Sequence, residues 1–147
     1  LAPRLTLPHL AYAATNLRLA TALSQKPNLT ATERTSIATL LHQALREAQT
    51  AVNLRPHSSL PYLTLGQIYQ HLLPVAPDSG PFAVSAYAQA VALDPANPAL
   101  RVAFAKLLTS LQNYSRAQEE LQIALTIQPD YSPALEALSA LPIDVVK

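Results

Sequence analysis

One spacing recurs three times along the chain and fixes most of what it can fold into: Ala44-x3-Ala48-x2-Ala51-x4-Pro56, Ala83-x3-Tyr87-x2-Ala90-x4-Pro95 and Ala117-x3-Leu121-x2-Ala124-x4-Pro129. Offsets of four and three put the first three positions of each run on one helical face. Small residues there let a second helix approach closely, and the proline falls where the helix must stop. Pro95 and Pro129 are 34 residues apart, and Pro56 and Pro95 are 39 apart, the same period with five residues inserted. Self-similarity at such a period is the mark of stacked supersecondary units. Each run therefore reads as the second helix of a helical hairpin.

Composition agrees with an all-α chain. Ala (26) and Leu (27) make up 53 of the 147 residues, and both are strong helix formers. Two Gly against thirteen Pro argue against glycine-dependent hairpin turns and phosphate-cradling loops, so Rossmann and P-loop readings are excluded. With no Cys there is no disulfide framework, thiolate metal site or cysteine nucleophile. No Met is present, even at position 1, so the chain is expected to be a piece of a longer protein.

The leading helix of each hairpin shows its own pattern. In the middle unit it is Tyr62-x2-Leu65-Gly66-x2-Tyr69, and in the next Arg101-x2-Phe104-Ala105-x2-Leu108, with a small residue again at the Gly66 position. Glycine inside a helix costs about 1 kcal/mol against Ala, so Gly66 implies a close packing contact. Together these motifs resemble the tetratricopeptide repeat (TPR) family, over about residues 44–141 and most strongly over 59–129. The first hairpin departs from the family pattern, because its leading helix has no pair that aligns with Leu65-Gly66.

Capping signals set the boundaries independently. Thr30-x-x-Glu33 is a capping box, and Asn97 and Ser132 each precede a proline suited to the first helical position. The expected helices are 8–25, 31–54, 60–73, 81–94, 98–111, 114–127 and 133–141. They form a single domain of hairpins at about 8–56, 59–95 and 98–129, with the last helix as a cap, in a TPR-like superhelix. The insertion Leu73–Pro81 holds three prolines and is expected to be stiff, either packing on its own repeat or presenting Val75 and Asp78 to a partner.

Charge narrows the function classes. Residues 1–56 carry six positive and two negative charges, 57–93 only Asp78, and 94–147 four positive and six negative. No basic stripe suits nucleic acid. The charge-free run 57–77 is long enough to raise a membrane span, but its prolines, glutamines and histidines argue against one. The uncharged middle hairpin is the preferred contact surface.

The resemblance implies a concave groove lined by the first helix of each hairpin and a protein or peptide partner, including the rest of the chain's own polypeptide. It places Leu60, Leu63, Gln67, Gln70 and His71 of the middle unit in that groove, and Val102, Lys106, Thr109 and Ser110 of the next. Leu63, Gln67, Ala99 and Ala103 stand where a carboxylate clamp would need Lys, Asn and Arg, so clamping of that kind is not expected.

Catalysis has little to build on. His9, His42, His57 and His71 lack metal-ligand spacing, and the adjacent Glu119 and Glu120 point about 100° apart. Arg116 and Glu120 are placed for an i,i+4 pair. No catalytic residue, metal or cofactor is expected. A weaker resemblance, through Leu65-Gly66-x2-Tyr69-x2-Leu72-x-Pro74, Gly80-x-Phe82-Ala83-x3-Tyr87 and Leu93-x-Pro95-x-Asn97-Pro98-x-Leu100-Arg101, is to the extramembrane TPR module of bacterial O-antigen ligase or polymerase-like proteins. It implies an accessory role on the extracytoplasmic side of a bacterial membrane, against a cytoplasmic scaffold otherwise. A homo-oligomerisation module is the third reading.

The register makes one stability prediction. Ala90→Leu should overpack the close helix contact and destabilise by about 1–3 kcal/mol. An unchanged denaturation midpoint would place Ala90 on the wrong face.

Overall fold

The computed structural model describes residues 3–74 and 76–142. Among them are seven helices and no strand: α1 Pro3–Ser24, α2 Ala31–Leu54, α3 Ser59–Leu72, α4 Gly80–Leu93, α5 Pro98–Ser110, α6 Tyr114–Ile127 and α7 Ser132–Ser139, with a 3₁₀ turn at Pro77–Ser79. The most extensive contacts pair α1 with α2, α3 with α4 and α5 with α6. Each hairpin then packs on the next through α2/α3 and α4/α5, and α7 closes the array against both α5 and α6. The chain is an all-α superhelix of three hairpins and a capping helix.

The periodic prolines end the helices by one local mechanism. Arg55, Asp94 and Gln128 precede Pro56, Pro95 and Pro129, and take φ/ψ of −140/69, −141/69 and −140/99. A following proline disfavours the α region, so these residues leave it, and their N–H groups still donate to the carbonyls of Ala51, Ala90 and Ala124. At the other ends, Thr30 and Glu33 form both halves of the capping box, and the Asn97 side chain accepts from Ala99 N at 3.1 Å.

The bounds of α1, α3, α4, α5 and α7 differ from the sequence reading, by one or two residues except at the start of α1. Helix α1 begins at Pro3 instead of residue 8, with Pro8 inside it. Proline already holds helical φ, so this early in the helix it forfeits one ladder bond without breaking the run. Helix α7 begins one residue early, with Tyr131 as N-cap, and Ser132 instead donates from Oγ to Glu136 Oε1 at 3.2 Å.

The small-residue seam is the core. Ala44, Ala48 and Ala51, then Ala83, Tyr87 and Ala90, then Ala117, Leu121 and Ala124 are all essentially without exposed surface. Gly66 is explained by Tyr87. A Cβ at position 66 would lie 2.8 Å from Tyr87 Cδ2, so the ring fits only because α3 presents bare backbone there. The ring stacks on Phe104, centroids 6.0 Å apart and planes within 4°, and its hydroxyl donates to Gln70 Oε1 at 2.8 Å. Burial pushes the Tyr87 phenol up to about 12. The Arg116 guanidinium lies 5.1 Å from the Phe104 ring centre, extending the series to α6.

That position of Arg116 corrects one expected pairing. Glu120 accepts from Arg101 Nη1 at 2.8 Å, with both side chains largely buried, and Arg101 also donates to Pro95 O. The cross-hairpin bond forms in a lower dielectric than an exposed i,i+4 pair and ties α5 to α6. The insertion packs on its own hairpin, with the buried Ser79 Oγ donating to Tyr69 O at 3.0 Å. Asp78 is exposed, and Val75 lies outside the described residues.

Two measurements check these interactions. Gly66→Ala should lower the denaturation midpoint, because overpacking of about 1–3 kcal/mol outweighs a helix-propensity gain of about 1 kcal/mol. In a Tyr87→Leu background the same change should become neutral or stabilising; equal loss in both backgrounds would separate Gly66 from the ring. The Glu33 carboxylate accepts from Thr30 N at 2.9 Å and Lys26 Nζ at 3.0 Å, and the backbone bond first holds its pKa at about 2, below the ordinary 4.5. Its stabilisation is complete above pH 4.5 and lost as the pH falls toward 2. Glu33→Gln should flatten the pH dependence of stability across that window, and an unchanged slope would remove Glu33 from it.

Candidate functional site

The first helices of the hairpins share one phase toward a common space. On α1 the inward positions are Ala14, Leu17, Arg18, Thr21 and Ser24; on α3 they are Thr64, Gln67, Gln70 and His71; on α5 they are Ala103, Lys106 and Ser110. These are the i, i+3, i+4, i+7 spacings of single helix faces. They enclose an open cavity of about 1190 Å³, completed by Leu29, Arg34, Ile37 and Leu41 at the α2 side, by Leu73 and Pro74, and by the Tyr87 ring.

Of the groove residues expected from sequence, Gln67, Gln70, His71, Lys106 and Ser110 converge on this cavity. Leu63 is half-buried against the core, Val102 is buried within it, and Thr109 turns its hydroxyl to Ala105 O at 2.9 Å. Each of the three stands one residue before a position level with the cavity face, a rotation of about 100°. Leu60, in the first turn of α3, is exposed but outside the lining. The whole α1 and α2 contribution was missed, because the first hairpin lacks an alignable pair. The readable signal there was the Ala14-x2-Leu17-Arg18-x2-Thr21 face.

The polar lining is arranged to accept and donate. Thr21, Thr64 and Ser110 give their hydroxyl protons to helix carbonyls at 2.8, 3.0 and 2.7 Å, which leaves oxygen lone pairs as acceptors. Tyr87 occupies one lone pair of Gln70 Oε1, and the Gln70 amide N–H groups and the Gln67 amide remain for a ligand. Desolvation lowers the His71 pKa below the usual imidazole value, so this ring is neutral at pH 7. The charged lining residues are Arg18, Arg34 and Lys106.

A second, smaller hollow of about 430 Å³ lies between α3 and α4, lined by Tyr62, Leu65, Tyr69, Phe82, Ser85, Ala86 and Gln89. Phe82 is well exposed and stacks on Tyr69 with centroids 5.5 Å apart. This is the uncharged hairpin singled out by its composition. Elsewhere, His9 Nδ1 lies 2.5 Å from Glu47 Oε2, joining α1 to α2. Among the described residues no three metal-ligating side chains converge, and no helix is long and apolar enough to cross a membrane.

Residues 83–141 match the tetratricopeptide repeat family model. Among solved structures, the chain is similar to the Arabidopsis OM64 TPR domain, with a TM-score of 0.56 and 14% sequence identity over 89% of this chain and 94% of that one. No curated protein sequence shows significant similarity to it. The likeness is one of fold, and it spans all three hairpins.

Proposed function

With a TPR-like superhelix as the premise, we propose that the chain is a non-catalytic scaffold that holds a peptide segment of a protein partner in its concave groove. The observation that carries this reading is the shared phase of α1, α3 and α5 on one cavity of about 1190 Å³. The cavity combines an apolar floor at Leu17, Ile37 and Leu41 with convergent side-chain amides at Gln67 and Gln70, the mix by which a groove fixes a segment's position and polarity. Catalysis would need an oriented nucleophile and base, and the polar groups of this lining are amides, hydroxyls, a neutral imidazole and separated cations.

Selection from a displayed library of random peptides tests the reading without a known partner. Peptides enriched on the wild-type chain should bind at least about tenfold more weakly to Gln67→Trp/Ser110→Trp, whose indoles fill the cavity. Circular dichroism and the thermal midpoint should stay at wild-type values. Peptides retained by the filled variant would move the site elsewhere, with the Phe82 hollow tested next.

A further inference from the structure

We infer that the segment this groove takes is acidic and amphipathic, its apolar side chains on Leu17, Ile37 and Leu41 and its carboxylates on Arg18, Arg34 and Lys106; the inference rests on the reading of the cavity as a peptide groove. Three cations line the cavity and no carboxylate does. The arrangement follows from the helices themselves, because α1, α3, α4 and α5 contain no Asp or Glu at all. Helix α2 has two, and both are engaged elsewhere: Glu33 with Thr30 and Lys26, Glu47 with His9. The remaining ion pair among the described residues joins Arg101 to Glu120. Arg18, Arg34 and Lys106 are therefore exposed cations without an internal counter-charge, aimed at one space.

The chemistry of the three selects the ligand. Two guanidiniums and one ammonium present only donors, and guanidinium matches a carboxylate in a two-bond fork. A groove of one sign also repels basic segments and raises the encounter rate of acidic ones. The cations come from α1, from the first turn of α2 and from α5, so they border the apolar floor on more than one side. A segment that satisfies both must alternate acidic and apolar residues. A single C-terminal carboxylate would leave most of these donors unused. Neutral His71 adds a hydrogen-bonding edge and no charge at pH 7.

The same peptide selection decides the matter. Cavity-dependent peptides should be rich in Asp and Glu alternating with Leu, Ile or Phe, and a labelled example should bind at least about tenfold more weakly to Arg18→Glu/Arg34→Glu. Binding should weaken as salt is raised. The same peptide with Lys in place of its acidic residues should regain affinity for that charge-reversed variant. Arg18→Gln/Arg34→Gln/Lys106→Gln provides a milder variant, with helicity checked for both. Cavity-dependent peptides that are neutral or basic, and indifferent to charge reversal, would overturn the acidic assignment and leave the groove. Absence of any cavity-dependent peptide would overturn both. A single-stranded oligonucleotide held more tightly than the selected peptide at equal salt would also overturn the assignment.

Discussion

The Tyr87 ring can lie against the backbone of α3 because residue 66 carries no side chain, and most of the structure is arranged around that contact. One face of the ring meets Phe104 on α5, whose own ring lies under Arg116 of α6. The hydroxyl reaches back to Gln70, a turn beyond Gly66 on α3. Four helices from two hairpins are thereby registered by one aromatic series. Stacked hairpins touch only their neighbours, so the relative rotation of successive units must be set locally at each interface. A bulky ring in a slot shaped for it fixes that rotation more tightly than alanine on alanine.

The parts of the fold that were readable from sequence are those set by short-range sterics. Proline after the second helix acts on the residue before it, and the three such residues leave the helical region at nearly the same φ. The Thr30 box and the Asn97 cap are equally local. What the sequence hid depends on the partner helix. Whether α5 turns Val102 or Ala103 toward the groove is a matter of about 100°, settled by how α5 rolls against its neighbours. Glu120 had a local choice in Arg116 and a distant one in Arg101. The distant one wins because Arg101 meets it in a largely buried place, and Arg116 has the Phe104 face to cover.

The first hairpin shows the other limit. Its core is built from Ala13, Leu17 and Ala20 on α1 against Leu41, Ala44 and Ala48 on α2. That is a small-residue seam of the same kind as in the later hairpins, but without an aromatic ring in it. A glycine opposite a ring leaves a mark in the sequence, and alanine opposite alanine or leucine does not. The α1 side of the groove therefore carries no pair that aligns with Leu65-Gly66, and the periodic face Ala14-x2-Leu17-Arg18-x2-Thr21 alone marks it.

The sparse charge of this chain has two physical origins, one in the core and one in the groove. Close-packed seams need alanine, which keeps the seam positions themselves free of charge. The first helices α1, α3 and α5 lack carboxylates for a reason packing does not supply, because Arg18 and Lys106 show that charge is tolerated there. Five of the nine acidic residues instead lie at Glu119, Glu120, Asp130, Glu136 and Asp144. A net charge of +1 thus hides a separation of sign, with unpaired cations around an uncharged amide and apolar surface. Tyr87 connects that surface to the core, since the ring that registers α3, α4 and α5 is also a wall of the cavity and orients the Gln70 amide within it. The geometry of the cavity is therefore set by the same contact that holds the hairpins in register, so its shape is fixed to the extent that the repeat interface is rigid.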